Sequence, residues 1–439
     1  MRSEIRRGLC VAILAAAVLA GKTKPLTILH TNDLHARFSP LDNQRGGFAY
    51  LATAIRDARR DCKSCILINA GDLAQGSPVS TIFHGLPIFE VANLLGFNAA
   101  TLGNHDFDYG WMQTRQFMRT ANYPIVSANI ANDAGELLTG KPSVTLKVNG
   151  LRVTVIGAMT EELKSLTTPD LRGPWHASAL IETVRREAVK ARKHSDLVVL
   201  LAHITDKEER TALQQVPEIN VIVSGHVHAG LQQEVVEGHR LVVRVRGDSA
   251  ELGRLELQVD PKAKSIDSWK WTRIPIDATK LAAAPDVAAE VKRWEDEVTR
   301  RVDQPLAVSR RAFDKAGVRK LMERAMREET GAQFAFVNAG GVRDILPEGQ
   351  LKVRNIWNIM PFDNMVVFGK FKGKDLPKVV VGDRKIDPDR EYTLAVTDFT
   401  AANQSASSQL QSHGLEFPHQ GPLLRDLLVD WFRKQQTIE

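Results

Sequence analysis

A layered α/β fold is predicted by this sequence on three observations. Between residues 24 and 274, short apolar runs alternate with amphipathic stretches, as strands do when interleaved with helices. Polar residues follow directly after several of those runs, where layered α/β folds collect their ligands. Asn149-Gly150 separates two alternating segments, which is a strong hairpin signal.

The elements follow in order. Residues 26–29 read as a strand and 47–60 as a helix. Residues 66–68 form the next strand, 81–95 a helix, and 99–102 a short strand. Residues 124–127 read as a strand, and 144–148 with 151–156 as the hairpin. A helix over 179–192 precedes strands over 197–201 and 219–223. Val287, Val291, Trp294, Val298 and Val302 then recur at helical spacing between Pro285 and Pro305, predicting a linking helix. Beyond it, 317–328 reads as a helix, and 334–337, 364–368 and 392–396 as strands. Residues 403–413, rich in Ser and Gln, read as a loop.

Composition narrows the class. At 439 residues, 43% hydrophobic and 25% charged, the chain is an ordinary globular protein of two or three domains. Residues 1–21 differ: a basic start, an apolar run and small residues form a signal-peptide pattern with cleavage near Ala20 or Gly21. The run is shorter than the ~20 apolar residues of a membrane span. The expectation is a periplasmic or secreted protein with no stable span after cleavage. Losing the leader's three arginines and one glutamate takes the net charge from +6 to about +4. No basic run of the kind that tracks a nucleic-acid polymer is present. Cys10 lies in the leader. Cys62 and Cys65 could close a small disulfide or stay as free thiols, and two cysteines exclude a tetrathiolate zinc site.

Five segments carry the chemistry: Asp33-Leu34-His35, Gly71-Asp72, Gly103-Asn104-His105-Asp106-Phe107-Asp108, His203, and Gly225-His226-Val227-His228. Any one of them alone is an ordinary turn or cap. Together Asp33, His35, Asp72, Asn104, His203, His226 and His228 offer seven donors, with His105 additional. Carboxylate, amide and imidazole donors suit Zn²⁺, Mn²⁺, Fe²⁺ or Co²⁺ rather than Ca²⁺. So many donors exceed what one tetrahedral zinc uses and suit two divalent ions sharing a carboxylate and a water.

These segments resemble the motifs of the calcineurin-like metallophosphoesterases, and the whole chain resembles the exported 5′-nucleotidase family. The resemblance implies an αββα sandwich over 24–275, a helical linker over 276–305, and a smaller, abbreviated α/β substrate-binding domain over 306–439. It implies that Asp33, His35 and His228 hold one metal and that Asn104, His203 and His226 hold the other. Asp72 would bridge both. His105 would be the catalytic donor to the transferring phosphoryl group, oriented by Asp108. In the second domain, Asn338-Ala339-Gly340-Gly341-Val342-Arg343 is similar to the family's glycine-rich motif. There Asn338 would contact the nucleoside and Arg343 an anionic or ribosyl part, while Phe362 and Phe399 would clamp a base.

The chain departs from that family at four places. Ala202-His203-Ile204-Thr205-Asp206 lacks a glycine common after the histidine. Ala401-Ala402-Asn403-Gln404-Ser405-Ala406-Ser407 stands where a ligand-binding aspartate is usual. Arg310 and Arg311 are out of register with the family's arginine, and residues 374–392 make a short connection. The leading expectation is metal-activated hydrolysis of nucleotide phosphomonoesters. The alternatives are a UDP-sugar diphosphatase, a 2′,3′-cyclic nucleotide phosphodiesterase, a thiosulfohydrolase-like enzyme, and a non-catalytic nucleotide-binding protein.

Overall fold

A computed structural model describes residues 23–41, 43–404, 408–412 and 414–439. The leader and Cys10 lie outside the described residues. Two large sheets and a two-stranded one, Ile130–Ala131 with His176–Ala177, form the N-terminal half. The first has the strand order Ser265–Pro275, Glu251–Asp260, Lys24–Thr31, Cys65–Asn69, Ala99–Ala100. In the second the order is Val235–Glu237, Arg240–Val243, Val221–Gly225, Leu197–His203, Leu151–Met159, Ser143–Val148.

The two faces of each strand explain the layering. In Leu197–His203, Leu197, Val199 and Leu201 join a core between the sheets with Leu26, Ile28, Ile66 and Ile68. Their alternates Val198, Leu200 and Ala202 pack outward on helices Leu180–His194 and Asp206–Gln215. On the first sheet Leu29 and Leu67 face helix Phe48–Arg60 instead. A strand apolar on both faces must be covered on both, so helix, sheet, sheet and helix stack in that order. Each such aliphatic side chain contributes roughly 1.5–3 kcal/mol on full burial.

Helix Pro285–Val302 buries Val287, Val298 and Val302 in the core that also holds Phe48 and Ile55. Arg56 meets Asp286 through two hydrogen bonds of 2.8 and 2.7 Å. The C-terminal half follows with two small sheets, Gly349–Lys352, Pro305–Ser309, Thr437–Ile438 and Phe334–Ala335, Glu391–Thr397, Met365–Lys372, His419–Leu423. Helices Lys315–Thr330 and Leu424–Gln435 pack Val318, Met322 and Met326 against Leu428, Trp431 and Phe432.

Two predicted elements differ. The helix expected over 81–95 is two helices, Pro78–Ile82 and Leu86–Ala92, because Gly85 takes a left-handed φ of 76° and Pro87 opens the second. Residues 124–127 contribute only a single bridge, Ile125 to Ala100. Cys62 and Cys65 are joined in a disulfide between helix Phe48–Arg60 and strand Cys65–Asn69.

Candidate metal centre and adjoining cavity

All seven predicted metal donors sit at or just beyond the carboxyl ends of strands. Asp33 and His35 follow Lys24–Thr31, and Asp72 follows Cys65–Asn69. Asn104 opens a short 3₁₀ turn after Ala99–Ala100. His203 ends its strand, and His226 and His228 follow Val221–Gly225. Parallel strands end on the same side of a sheet, so five separated segments converge.

The backbone is forced at this point. Asp33, His35, Asp72, His226 and His228 have φ of 50°, 48°, 53°, 83° and 62°, a left-handed region that non-glycine residues seldom adopt. Strain of this kind persists only where the surroundings hold it, and it clusters at functional sites. Asp33 is held through both carboxylate oxygens, which accept from the His226 N–H at 3.0 and 3.1 Å.

Donor atoms of Asp33, His35, Asp72 and His228 lie within 4.8 Å of one another. A second group adjoins them: Asn104 Oδ1 is 3.1 Å from both His203 Nε2 and His226 Nδ1. Asp72 stands between the groups, with Oδ2 3.8 Å from His35 Nε2 and 3.2 Å from His203 Nε2.

The donor chemistry fits cations there. His35 Nδ1 faces the Gln75 carbonyl at 3.0 Å, and His203 Nδ1 faces the Ala70 carbonyl at 2.9 Å. A carbonyl only accepts, so each Nδ1 carries its hydrogen and each Nε2, once free of a proton, turns a lone pair inward. His35 Nε2 then lies 2.9 Å from His228 Nε2. Asp72 Oδ2 is buried with no hydrogen-bond partner among the described residues. Inward lone pairs and an orphaned carboxylate oxygen call for positive charge. Without a cation, burial works against charge on His203, yet Asp72 and Asp33 raise its pKa to about 9, so a bound cation would take the place of a proton on Nε2. Burial, then the nearby His228, holds His35 well below the ordinary histidine range.

His105 takes a different position. Its backbone N–H donates to Asp72 Oδ1 at 2.9 Å, while its ring Nδ1 meets Asp108 Oδ2 at 2.8 Å. The ring stacks on Phe362 at 5.7 Å between centroids. Beside the centre opens a cavity of about 450 Å³. Asn104, His105 and Asp108 line it from the N-terminal half, and Asn338, Arg343, Phe362 and Phe399 line it from the C-terminal half. Arg343 Nη2 comes within 3.3 Å of His35 Nε2. The sequence-predicted catalytic, metal and substrate residues therefore share one location, while Arg310 and Arg311 do not line the cavity.

Sequence reasoning missed other walls. Leu166, Thr167, Thr168 and Leu171 line the cavity from a loop with only two single-turn helices. Asn403 Nδ2 reaches the Ser165 carbonyl, linking Asn403 to that loop. Tyr109 and His84 complete the rim, stacked at 5.5 Å. No spacing or ligand pattern in the sequence marks these residues. The missing glycine after His203 has a local explanation. Thr205 caps helix Asp206–Gln215, accepting from the Glu208 N–H at 3.3 Å while Glu208 Oε2 accepts from the Thr205 N–H at 2.8 Å.

Comparisons with known proteins bear on the two halves of the chain. A family model described as Calcineurin-like phosphoesterase matches residues 26–230, and one described as 5′-nucleotidase, C-terminal domain matches residues 297–381. Endonuclease YhcR of Bacillus subtilis is 24% identical over 88% of this chain, which spans only 38% of that relative's length. The 5′-nucleotidase of Vibrio cholerae is 24% identical, with 96% of this chain and 92% of that protein covered. The crystal structure of a 5′-nucleotidase precursor from Thermus thermophilus has the same fold, with a TM-score of 0.82, 20% identity, and 95% and 97% of the two chains covered. A phosphoesterase region followed by a 5′-nucleotidase C-terminal region places this chain in the 5′-nucleotidase family of calcineurin-like metallophosphoesterases, as a hydrolase.

Proposed function

We propose that this protein is an exported enzyme that hydrolyses nucleotide phosphomonoesters with two divalent metal ions. The observation that carries the reading is the shared cavity, where Asn104, His105 and Asp108 face Asn338, Arg343, Phe362 and Phe399. One wall offers charge for a phosphoryl group, and the other offers flat rings and a guanidinium for a nucleoside.

In this reading residues 24–275 form the hydrolytic domain, 276–305 the linker and 306–439 the substrate-binding domain. Asp33, His35 and His228 would hold one ion, Asn104, His203 and His226 would hold the other, and Asp72 would serve both. When bound, such ions supply Lewis acidity and lower the pKa of water toward about 7. The remaining work falls to the chain. His105 offers a hydrogen bond to phosphoryl oxygens as negative charge builds, with Asp108 fixing its ring. Arg343 orients the anionic part of the substrate, Asn338 the nucleoside, and Phe362 with Phe399 the base. Export is supported by the basic and apolar leader and by the Cys62–Cys65 disulfide, a linkage that persists in oxidising compartments.

The test is a substrate panel on the mature chain supplied with Mn²⁺, Co²⁺ or Zn²⁺. Release of inorganic phosphate from nucleoside monophosphates is expected, with loss of turnover on chelation. Turnover confined to UDP-sugars, to 2′,3′-cyclic nucleotides or to a thiosulfonated carrier would overturn it.

A further inference from the structure

A second hollow, of about 510 Å³, opens on the C-terminal half away from the metal donors. Its walls follow from local sequence. Arg319, Glu323 and Arg327 recur every four residues along helix Lys315–Thr330, so they share one face. Opposite them, the short helix Lys378–Val381 ends at Gly382, whose φ of 61° turns the chain back. That turn brings Arg384 over the Phe334 ring at 4.2 Å. Val379 and Val380 give the hollow an apolar side.

Positive charge there is incompletely matched. Three guanidiniums, that of Arg384 exposed, line the hollow with two carboxylates, Glu323 and the exposed Asp383. Glu323 is 3.9 Å from Arg319 Nε, and one of its oxygens already accepts from the Val337 N–H at 3.2 Å. Among the described residues no salt bridge joins a carboxylate to Arg327 or Arg384, and Arg384 donates to backbone only, from Nε to the Val381 carbonyl at 3.0 Å and from Nη2 to the Val380 carbonyl at 2.5 Å. Arg319 Nε is buried without a hydrogen-bond partner. Burial and the neighbouring Arg327 disfavour charge on Arg384, and Glu323 offsets them in part.

We propose that this hollow binds a phosphate-type oxyanion through Arg319, Arg327 and Arg384. Planar guanidinium forks match the geometry of phosphate oxygens. The anion is either free orthophosphate or the phosphoryl group of a nucleotide. No residue of this hollow lines the catalytic cavity, so the site stands or falls independently of the proposed reaction.

Inorganic phosphate titrated into the full chain by calorimetry tests this. Arg327→Glu combined with Arg384→Glu should weaken one class of phosphate binding by about tenfold or more. Arg343→Ala, in the catalytic cavity, should leave that class intact. AMP competing for the arginine-dependent class assigns it to a nucleotide phosphoryl group, and absence of competition assigns it to the free ion. Phosphate binding that is equal in wild type and double variant overturns the proposal, as does loss of all phosphate binding in Arg343→Ala. Charge reversal can disturb folding, so Arg327→Gln is measured beside it, with circular dichroism as the check. A folded Arg327→Gln that binds phosphate like wild type also overturns the site.

Discussion

Asp108 fixes the imidazole of His105: its Oδ2 lies 2.8 Å from the ring Nδ1, three residues along the same turn. An ionised carboxylate only accepts, so Nδ1 carries the hydrogen and Nε2 is the atom left for a substrate. Burial opposes charge on this ring, but Asp108 and Asp72 raise its pKa above the ordinary histidine value. His105→Asn should lower kcat by a factor of ~10²–10³, the usual loss for one donor to a charged transition state. Elemental analysis should find unchanged metal content, and loss of metal would make His105 a ligand instead.

Asp72 carries the opposite expectation. Its Oδ2 lies between the two donor groups and has no hydrogen-bond partner of its own among the described residues. Asp72→Asn removes the charge while keeping the shape. Metal content should fall and turnover should be lost together, whereas retained metal with retained turnover would move the shared ligand elsewhere.

Arg343 reaches from the C-terminal half to within 3.3 Å of His35 Nε2 and lines the cavity beside Phe362. A lysine keeps the charge and loses the planar fork. For Arg343→Lys, KM for a nucleoside monophosphate should rise about tenfold, with a smaller change in kcat. An unchanged KM would remove Arg343 from substrate binding.

Much of the centre was legible because its information is local and ordered. Asp33, His35, Asp72, Asn104 and His203 each follow an apolar run, and parallel strands carry such residues to one edge. The long helix expected over 81–95 failed because the left-handed turn at Gly85 was hidden inside an amphipathic pattern. Thr167 and Thr168 were illegible for another reason. They reach the cavity through a loop whose position depends on contacts such as Asn403 with Ser165, which no periodicity encodes. Strand Ser265–Pro275 was also missed, since two consecutive exposed residues, Asp267 and Ser268, separate Ile266 from the core-packed Trp269 and Trp271 and break the alternation where the register with Gln258 and Val259 shifts.

Thr205 does for the chain after His203 what a flexible residue would not. Its side chain caps helix Asp206–Gln215, and Glu208 closes the reciprocal bond while also accepting from Thr160 Oγ1 at 3.1 Å and the Glu161 N–H at 3.0 Å. Thr205→Ala should cost about 1 kcal/mol, seen as a fall in denaturant midpoint without a change in m-value. A shift within error would mean that Glu208 alone secures the helix start.

Gly103 sets the tightest steric condition at the centre. Its φ of −108° is open to any residue, so the requirement for glycine is one of space. A Cβ there would sit 2.0 Å from Asp72 Oδ1 and 2.4 Å from the Asp72 backbone nitrogen. Neither atom can retreat easily. The carboxylate is buried and accepts from the His105 N–H, and the Asp72 backbone already holds a left-handed φ of 53°. Gly103→Ala should therefore displace Asp72, with an overpacking cost of about 1–3 kcal/mol. The expected outcome is a folded protein with a lower Tm, weakened metal binding and little turnover. Normal metal content at full activity would show that the loops carrying Asp72 and Gly103 can separate, which their strained backbone and shared hydrogen bonds argue against.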